Sequence, residues 1–194
     1  MELVPFGIHN ITSHFGWAFI GNVGSWKKIR KGEFKMIRVK KGSVLPSPTD
    51  ELMDKIQDYF EVRFPQDYRS FLKQNNGAVP IECQFDYNGH AYAVERFLCM
   101  LPYELRDELT EGCYEVRVVE AQLDDRLGDD EDETGTFIIP VAVLFAGDFV
   151  CLDFRKDKEN PEVCIWYHEM SEYLAPYTKR IAGSFTEFLS MLYE

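Results

Sequence analysis

The run Ile138-Ile139-Pro140-Val141-Ala142-Val143-Leu144-Phe145, turned at Ala146-Gly147 into Asp148-Phe149-Val150-Cys151-Leu152-Asp153-Phe154, decides the fold class. Both segments are apolar at nearly every position apart from Asp153. Neither shows the alternation of a strand with one wet face, so the pair reads as the centre of a sheet covered on both sides. Asn160-Pro161 closes a longer turn into a third strand, Val163 to Tyr167. Connections this short predict three consecutive antiparallel strands, with Leu152 and Trp166 in the core.

Working outward, Ser47-Pro48-Thr49-Asp50 reads as a helix start: a hydroxyl cap, proline at the first helical position and an acid three residues after the cap. Leu52, Met53, Ile56, Tyr59 and Phe60 follow at helical spacing as one apolar stripe. A second helix opens at Pro65, carries Phe64, Tyr68, Phe71 and Leu72 on one face and ends at Gly77, the residue best suited to a left-handed cap. Ile81, Cys83, Phe85 and Tyr87 alternate with polar residues and run into Asn88-Gly89, which predicts a tight hairpin returning over His90 to Leu98. Ser184 with Glu187 three residues on is a capping box for a last helix packed through Phe185, Phe188, Leu189 and Leu192. Between Pro102 and Leu127, Leu105 and Leu109 favour helix while Val116, Val118 and Val119 also fit a strand. Both readings stand.

At 194 residues the chain is long enough for one substantial core. The net charge of −12 is divided unequally: residues 1–45 carry eight cations against two acids, and the remainder thirteen cations against thirty-one acids. A body so acidic argues against a duplex nucleic-acid binder, whose phosphate contacts need clustered cations. The basic first segment fits either an arm reaching for nucleic acid or membrane, or a basic edge strand lying on an acidic body. Its glycines and aromatics predict short strands, Glu33 to Lys40 the clearest. The expected organisation is therefore a β-rich extension over 1–45 packed on a core domain over 46–194.

No stretch approaches the ~20 continuous apolar residues of a membrane helix, and Met1-Glu2-Leu3-Val4-Pro5-Phe6 lacks a cationic start and long apolar centre. Cys83, Cys99, Cys113, Cys151 and Cys164 are odd in number and contain no Cys-x-x-Cys pair, so free thiols in a reducing cytoplasm are expected.

Chemistry-bearing patterns are sparse. His168-Glu169-Met170-Ser171-Glu172 puts Glu172 where a zinc protease has its second histidine, and His168 follows an apolar strand instead of sitting in a helix, so no metal role is expected. His9, His14 and His90 lie in no recognisable nucleophile-elbow setting, and no glycine-rich phosphate loop is present. No cofactor and no enzymatic activity are expected. Asp124, Asp125, Asp129, Asp130, Glu131, Asp132 and Glu133 crowd seven acids into ten residues beside Arg126, a composition that disfavours compact structure. No frame of this segment has the ligand spacing of a calcium loop. It reads as a solvated loop, either merely solubilising or part of a partner-binding surface.

Phe64-Pro65-Gln66-Asp67-Tyr68-Arg69-Ser70-Phe71-Leu72 leading to Asn75-Asn76-Gly77, the hairpin from Asp148 to Asp153 feeding Ile165-Trp166-Tyr167-His168-Glu169, and the closing Ser184-Phe185-Thr186-Glu187-Phe188-Leu189 together resemble the SUKH superfamily. That group contains fungal cell-wall-assembly regulators of the Smi/Knr type and many bacterial toxin-immunity proteins. The resemblance covers roughly 46–102 and 136–194, with an acidic insert near 124–133. It implies an α+β fold, a mostly antiparallel twisted sheet flanked by helices, with Trp166, His168 and Glu169 in a structural Trp-x-His-Glu element. It also implies an immunity protein that binds and neutralises a cognate secreted toxin, with a regulatory scaffold as the alternative. An acidic inhibitor suits a basic nuclease target because opposite charge steers association.

Overall fold

Six strands form one antiparallel sheet in simple chain order: β1 (Gln84–Tyr87), β2 (His90–Phe97), β3 (Ile138–Leu144), β4 (Phe149–Asp153), β5 (Glu162–Trp166) and β6 (Thr178–Ala182). Among the described residues five α-helices accompany it: α1 (Asp50–Phe60), α2 (Gln66–Asn75), α3 (Tyr103–Thr110), α4 (Val116–Leu123) and α5 (Phe185–Met191). The computed structural model describes residues 36–110, 113–128 and 137–194. This is the expected α+β architecture, and β3, β4 and β5 pair consecutively as the sequence predicts.

The two sheet faces carry separate apolar clusters, which explains why the central runs lack alternation. Val150 and Leu152 of β4 and Val163 and Ile165 of β5 join the main core beneath α1, α2 and α5. Their neighbours Cys151, Cys164 and Trp166 face the other way and pack with Leu127 and Ile138, flanked by Leu123. The second face is thus covered by α4 and the turn after it. Pro140 is tolerated in a central strand because the register slips between Pro140 and Ala142. The extra residue, Val141, lets Ile139 and Ala142 both face the main core, and a bulge is where a missing N–H does least harm.

Local chemistry fixes the helices. Thr49, not Ser47, caps α1: its hydroxyl accepts from the Leu52 amide at 3.2 Å, so the helix starts two residues later than the proline signal indicates. The corner to α2 is set by Gln57, whose Oε1 accepts from the Phe64 amide at 2.8 Å. Buried Asn76 then ties three segments, donating to the carbonyls of Pro46 and Met100 and accepting from the Met100 amide. Gly77 has φ +65°, so the backbone favours glycine, and a Cβ there would also press on Leu45 Cδ1 at 2.7 Å and Cys99 Cβ at 3.1 Å. Asp67 of α2 accepts from the amide and hydroxyl of Thr186, which locks the first turn of α5 against α2.

Between Pro102 and Leu127 the described residues form α3, α4 and a 3-10 turn, so Val116, Val118 and Val119 are helical. Buried Glu115 precedes α4 and pairs with Arg117 Nε at 2.9 Å, while Arg117 Nη2 donates to the Leu101 carbonyl. Burial raises the Glu115 carboxyl above its usual range, against the opposing pull of Arg117. β6 has no counterpart among the expected strands. Of the strand expected over Glu33 to Lys40, the described part, from Met36 on, forms a single bridge, Val39 to Pro80. Pro80 supplies no N–H to continue a ladder, yet Ile37 is anchored in the main core. Residues 1–35 otherwise lie outside the described residues.

Candidate protein-interaction site

Two loops adjoin at one end of the sheet. The β3–β4 turn is closed by the Leu144 amide donating to the Asp148 carbonyl at 2.8 Å, with Ala146 at φ +74° and Gly147 at φ +86°. A left-handed alanine is uncommon and persists only where its surroundings hold it. The Asp148 carboxylate reaches across to accept from the His168 amide at 2.8 Å, joining this turn to the β5–β6 loop, residues 167–177. Partial burial moves the Asp148 carboxyl upward from its usual value.

The β5–β6 loop is braced throughout. The Ser171 amide and hydroxyl both donate to the Tyr167 carbonyl, and Ser171 Oγ accepts from the Tyr177 amide at 2.9 Å. Glu172 and Ala175 exchange backbone bonds, and Leu174 is held at φ +51°. Arg126 is the principal external brace. Its guanidinium donates to the Ser171 carbonyl through Nη2 at 2.8 Å and Nε at 3.2 Å, reaches the His168 carbonyl, and lies 5.3 Å over the Trp166 ring. Trp166 Nε1 returns a bond to the Arg126 carbonyl at 3.0 Å. The Trp-x-His-Glu element is therefore structural at its tryptophan. His168 carries its backbone into the brace and leaves its ring exposed.

The braced loops display large apolar side chains to solvent: Phe145 is 74% exposed, Met170 54% and Tyr173 70%. Single exposed apolar residues are ordinary, but these differ from the other exposed tyrosines. Tyr59 bonds Glu120, Tyr193 bonds Asp86, Tyr114 lies under Arg96 and Tyr103 under Arg106. Among the described residues, Phe145 and Tyr173 have no hydrogen-bond, ring or cation partner. Met170, Glu172, Leu174, Pro176 and Tyr177 also border, with Arg155, an open depression of about 450 Å³. Burial also raises the Tyr167 hydroxyl at the start of the β5–β6 loop. Tyr68 and Cys151 are raised inside the cores, and Cys99 is pushed up to about 12 by burial beside Glu115.

The acidic stretch enters at this same end. Asp124 and Asp125 form a single 3-10 turn with Arg126, Asp125 is exposed, and its carbonyl accepts from the Leu174 amide at 2.6 Å. Gly128 follows against the Leu174 side chain. Asp129, Asp130, Glu131, Asp132 and Glu133 lie outside the described residues. Exposed Glu169 and Glu172 belong to the β5–β6 loop, and neither they nor Asp125 enters an ion pair among the described residues. Among those residues no group of three His, Cys, Asp or Glu side chains is placed to hold a metal ion. Sequence reasoning singled out the acids but missed Arg126, Phe145, Met170 and Tyr173. Arg126 offered one signal, as the lone cation inside an acidic run.

The family description SMI1-KNR4 cell-wall, SUKH_6, matches residues 50–189, from the first residue of α1 into α5. The chain belongs to the SUKH family. The matched range takes in α3, α4 and the acidic stretch. The chain is also similar to an uncharacterized SPbeta prophage-derived protein, YokK, of Bacillus subtilis strain 168, at 26% identity over 152 residues, covering 74% of each chain. No solved structure matches. Among the described residues no helix is long and apolar enough to cross a membrane.

Proposed function

We propose that this SUKH protein is an immunity protein, which binds a co-encoded toxin one to one in the cytoplasm and neutralises it by covering its surface, without chemistry of its own. The observation that carries the reading is the braced, apolar display of the β3–β4 and β5–β6 loops at the point where the acidic stretch begins. Hydrogen bonds spent on holding a loop rigid while its largest side chains face water are expected of a binding surface, because pre-organisation lowers the entropic cost of association. The family contains immunity proteins and cell-wall regulators alike. The acidic body favours the first, since it would steer and occlude a cationic effector.

Titrating the purified protein against the toxic domain encoded beside it tests the proposal. Inhibition should be complete at one equivalent, with a stable complex on gel filtration. Protection at far below one equivalent would indicate catalysis. Absence of a complex would return the protein to the regulatory reading. Replacing Asp124, Asp125, Asp129, Asp130, Glu131, Asp132 and Glu133 by Asn and Gln should slow association and flatten its salt dependence while leaving stability nearly unchanged.

A further inference from the structure

We infer that Phe145, Met170 and Tyr173 are the anchors of the docking face, and that its occupant is a cationic protein surface whose lysines and arginines meet Asp125, Glu169 and Glu172. This rests on the immunity reading for the partner's biological role, but the face itself is argued from geometry. The anchors come from two loops joined by the Asp148 to His168 bond, and a Cβ added at Gly147 would lie 4.0 Å from His168 Cγ, so they share one end of the sheet. None of the three belongs to either core cluster. Two are rings without internal partners, the side-chain type that dominates binding energy when sealed from water.

Charge selects the occupant. Asp125, Glu169 and Glu172 are exposed and enter no ion pair among the described residues. Among the described residues the nearby cations are engaged within the chain: Arg126 on the His168 and Ser171 carbonyls, Arg155 on Asp153 and Thr178, and Lys179 over the Tyr177 ring. The apolar anchors are therefore rimmed by acids that no cation among the described residues neutralises. A second copy of this chain would set acid against acid across the contact, which costs several kcal/mol for like charges. A cationic partner removes that cost and gains from it. The preformed left-handed turns at Ala146, Gly147 and Leu174 keep the anchors in place before contact, so little ordering remains to be done on binding.

A photo-cross-linking residue placed singly at Phe145, Tyr173, Tyr103 or Tyr193, in cells producing the co-encoded effector, tests the face. The expected result is cross-linking from 145 and 173 to one protein with a basic surface, weak or no cross-linking from 103 and 193, and loss of the product in Glu169→Lys/Glu172→Lys. With the partner purified, Phe145→Ala and Tyr173→Ala should each weaken binding about 30-fold, with unchanged melting temperature because both side chains are exposed. If the cross-linked basic protein is not a toxin, the face stands and the immunity reading falls. If the toxin is neutralised but is captured only through 103 or 193, the reading stands and the face is wrong. Capture of an acidic protein, cross-linking between copies of the chain, or no cross-link from any position also overturns the face.

Discussion

Replacing Arg126 by Met tests whether the β5–β6 loop is held from outside. Methionine keeps an apolar stem beside Trp166 but removes every donor. The structure gives Arg126 a forked contact on the Ser171 carbonyl, a further bond to the His168 carbonyl and a cation–π contact with Trp166. A charge-assisted hydrogen bond contributes about 1.5–3 kcal/mol and a partly exposed cation–π contact about 0.5–1 kcal/mol. Because the fork shares one acceptor, the loss should be about 2–4 kcal/mol, less than a simple addition. That energy holds a loop, so it should appear as local opening instead of global unfolding. A loss of about 2 kcal/mol raises the open population about 30-fold. Amide exchange followed by NMR reads this directly. The Ser171, Leu174 and Tyr177 amides, bonded to Tyr167, Asp125 and Ser171, should exchange about 30-fold faster, while Cys151 and Leu152 in β4 keep their protection. Rates within about threefold of the parent at all three amides would show that the loop braces itself. Equal acceleration in β4 would show that Arg126 supports the whole fold.

The buried Tyr68 hydroxyl has no hydrogen-bond partner among the described residues, so Tyr68→Phe should stabilise the protein by about 1 kcal/mol in chemical denaturation, and a loss of that size would reveal a hidden partner. Trp166→Ala empties a fully buried site and orphans the Arg126 carbonyl, for an expected cost of about 3–5 kcal/mol; a melting temperature lowered by less than about 2 °C would place the ring outside the load of the fold. Asp148 holds its proton more tightly when folded than when unfolded, because burial disfavours its charged form, so its contribution to stability is greatest in acid and declines as pH rises through the raised native value. Asp148→Asn keeps an acceptor for the His168 amide, and its stability relative to the parent should grow between pH 4 and pH 7; a shrinking difference would reverse the sign. All five cysteines should titrate as thiols after denaturation without reductant, even though Cys151 and Cys164 face each other in register; a count of three would mean that this pair oxidises.

The sheet centre was legible because its apolar runs are long and its turns short. The same property hid what covers it. Val116 and Val119 are β-branched and fit a strand by propensity, yet they are the buried valines of α4: buried Glu115 and its Arg117 partner fix the helix start, Val116 reaches the main core, and Leu123 at the helix end covers the second sheet face. β6 escaped because Thr178-Lys179-Arg180 is an edge, buried fully only at Ala182, and edges carry charge to discourage further pairing. The site was half legible. Charge density marks Asp124 and Asp125 in any reading, but Phe145 at the end of an apolar run looks like one more core residue. Only the left-handed turn that follows shows it pointing out.

The division of labour across the fold bears on how such a protein diverges. The main cluster joins α1, α2 and α5 to one sheet face, Gln57 and Asp67 tie those helices by buried and half-buried bonds, and Asn76 ties the end of α2 to Met100. Substitution there costs stability. Phe145, Met170, Tyr173, Glu169 and Glu172 lie outside both clusters, and their removal leaves no cavity and no orphaned buried group. The backbone of the β5–β6 loop is fixed by groups outside the display: the carbonyls of Tyr167, His168 and Ser171, the Ser171 hydroxyl and Arg126. A change of partner therefore requires new side chains on an unchanged frame. If that is how specificity is set, transplanting residues 145 and 169–173 of this chain onto YokK should transfer recognition of the partner without loss of folding, because discrimination between partners is a difference of surface contacts and not of cores. Transfer that succeeds only when α4 and Arg126 are moved as well would assign specificity to the brace and not to the display.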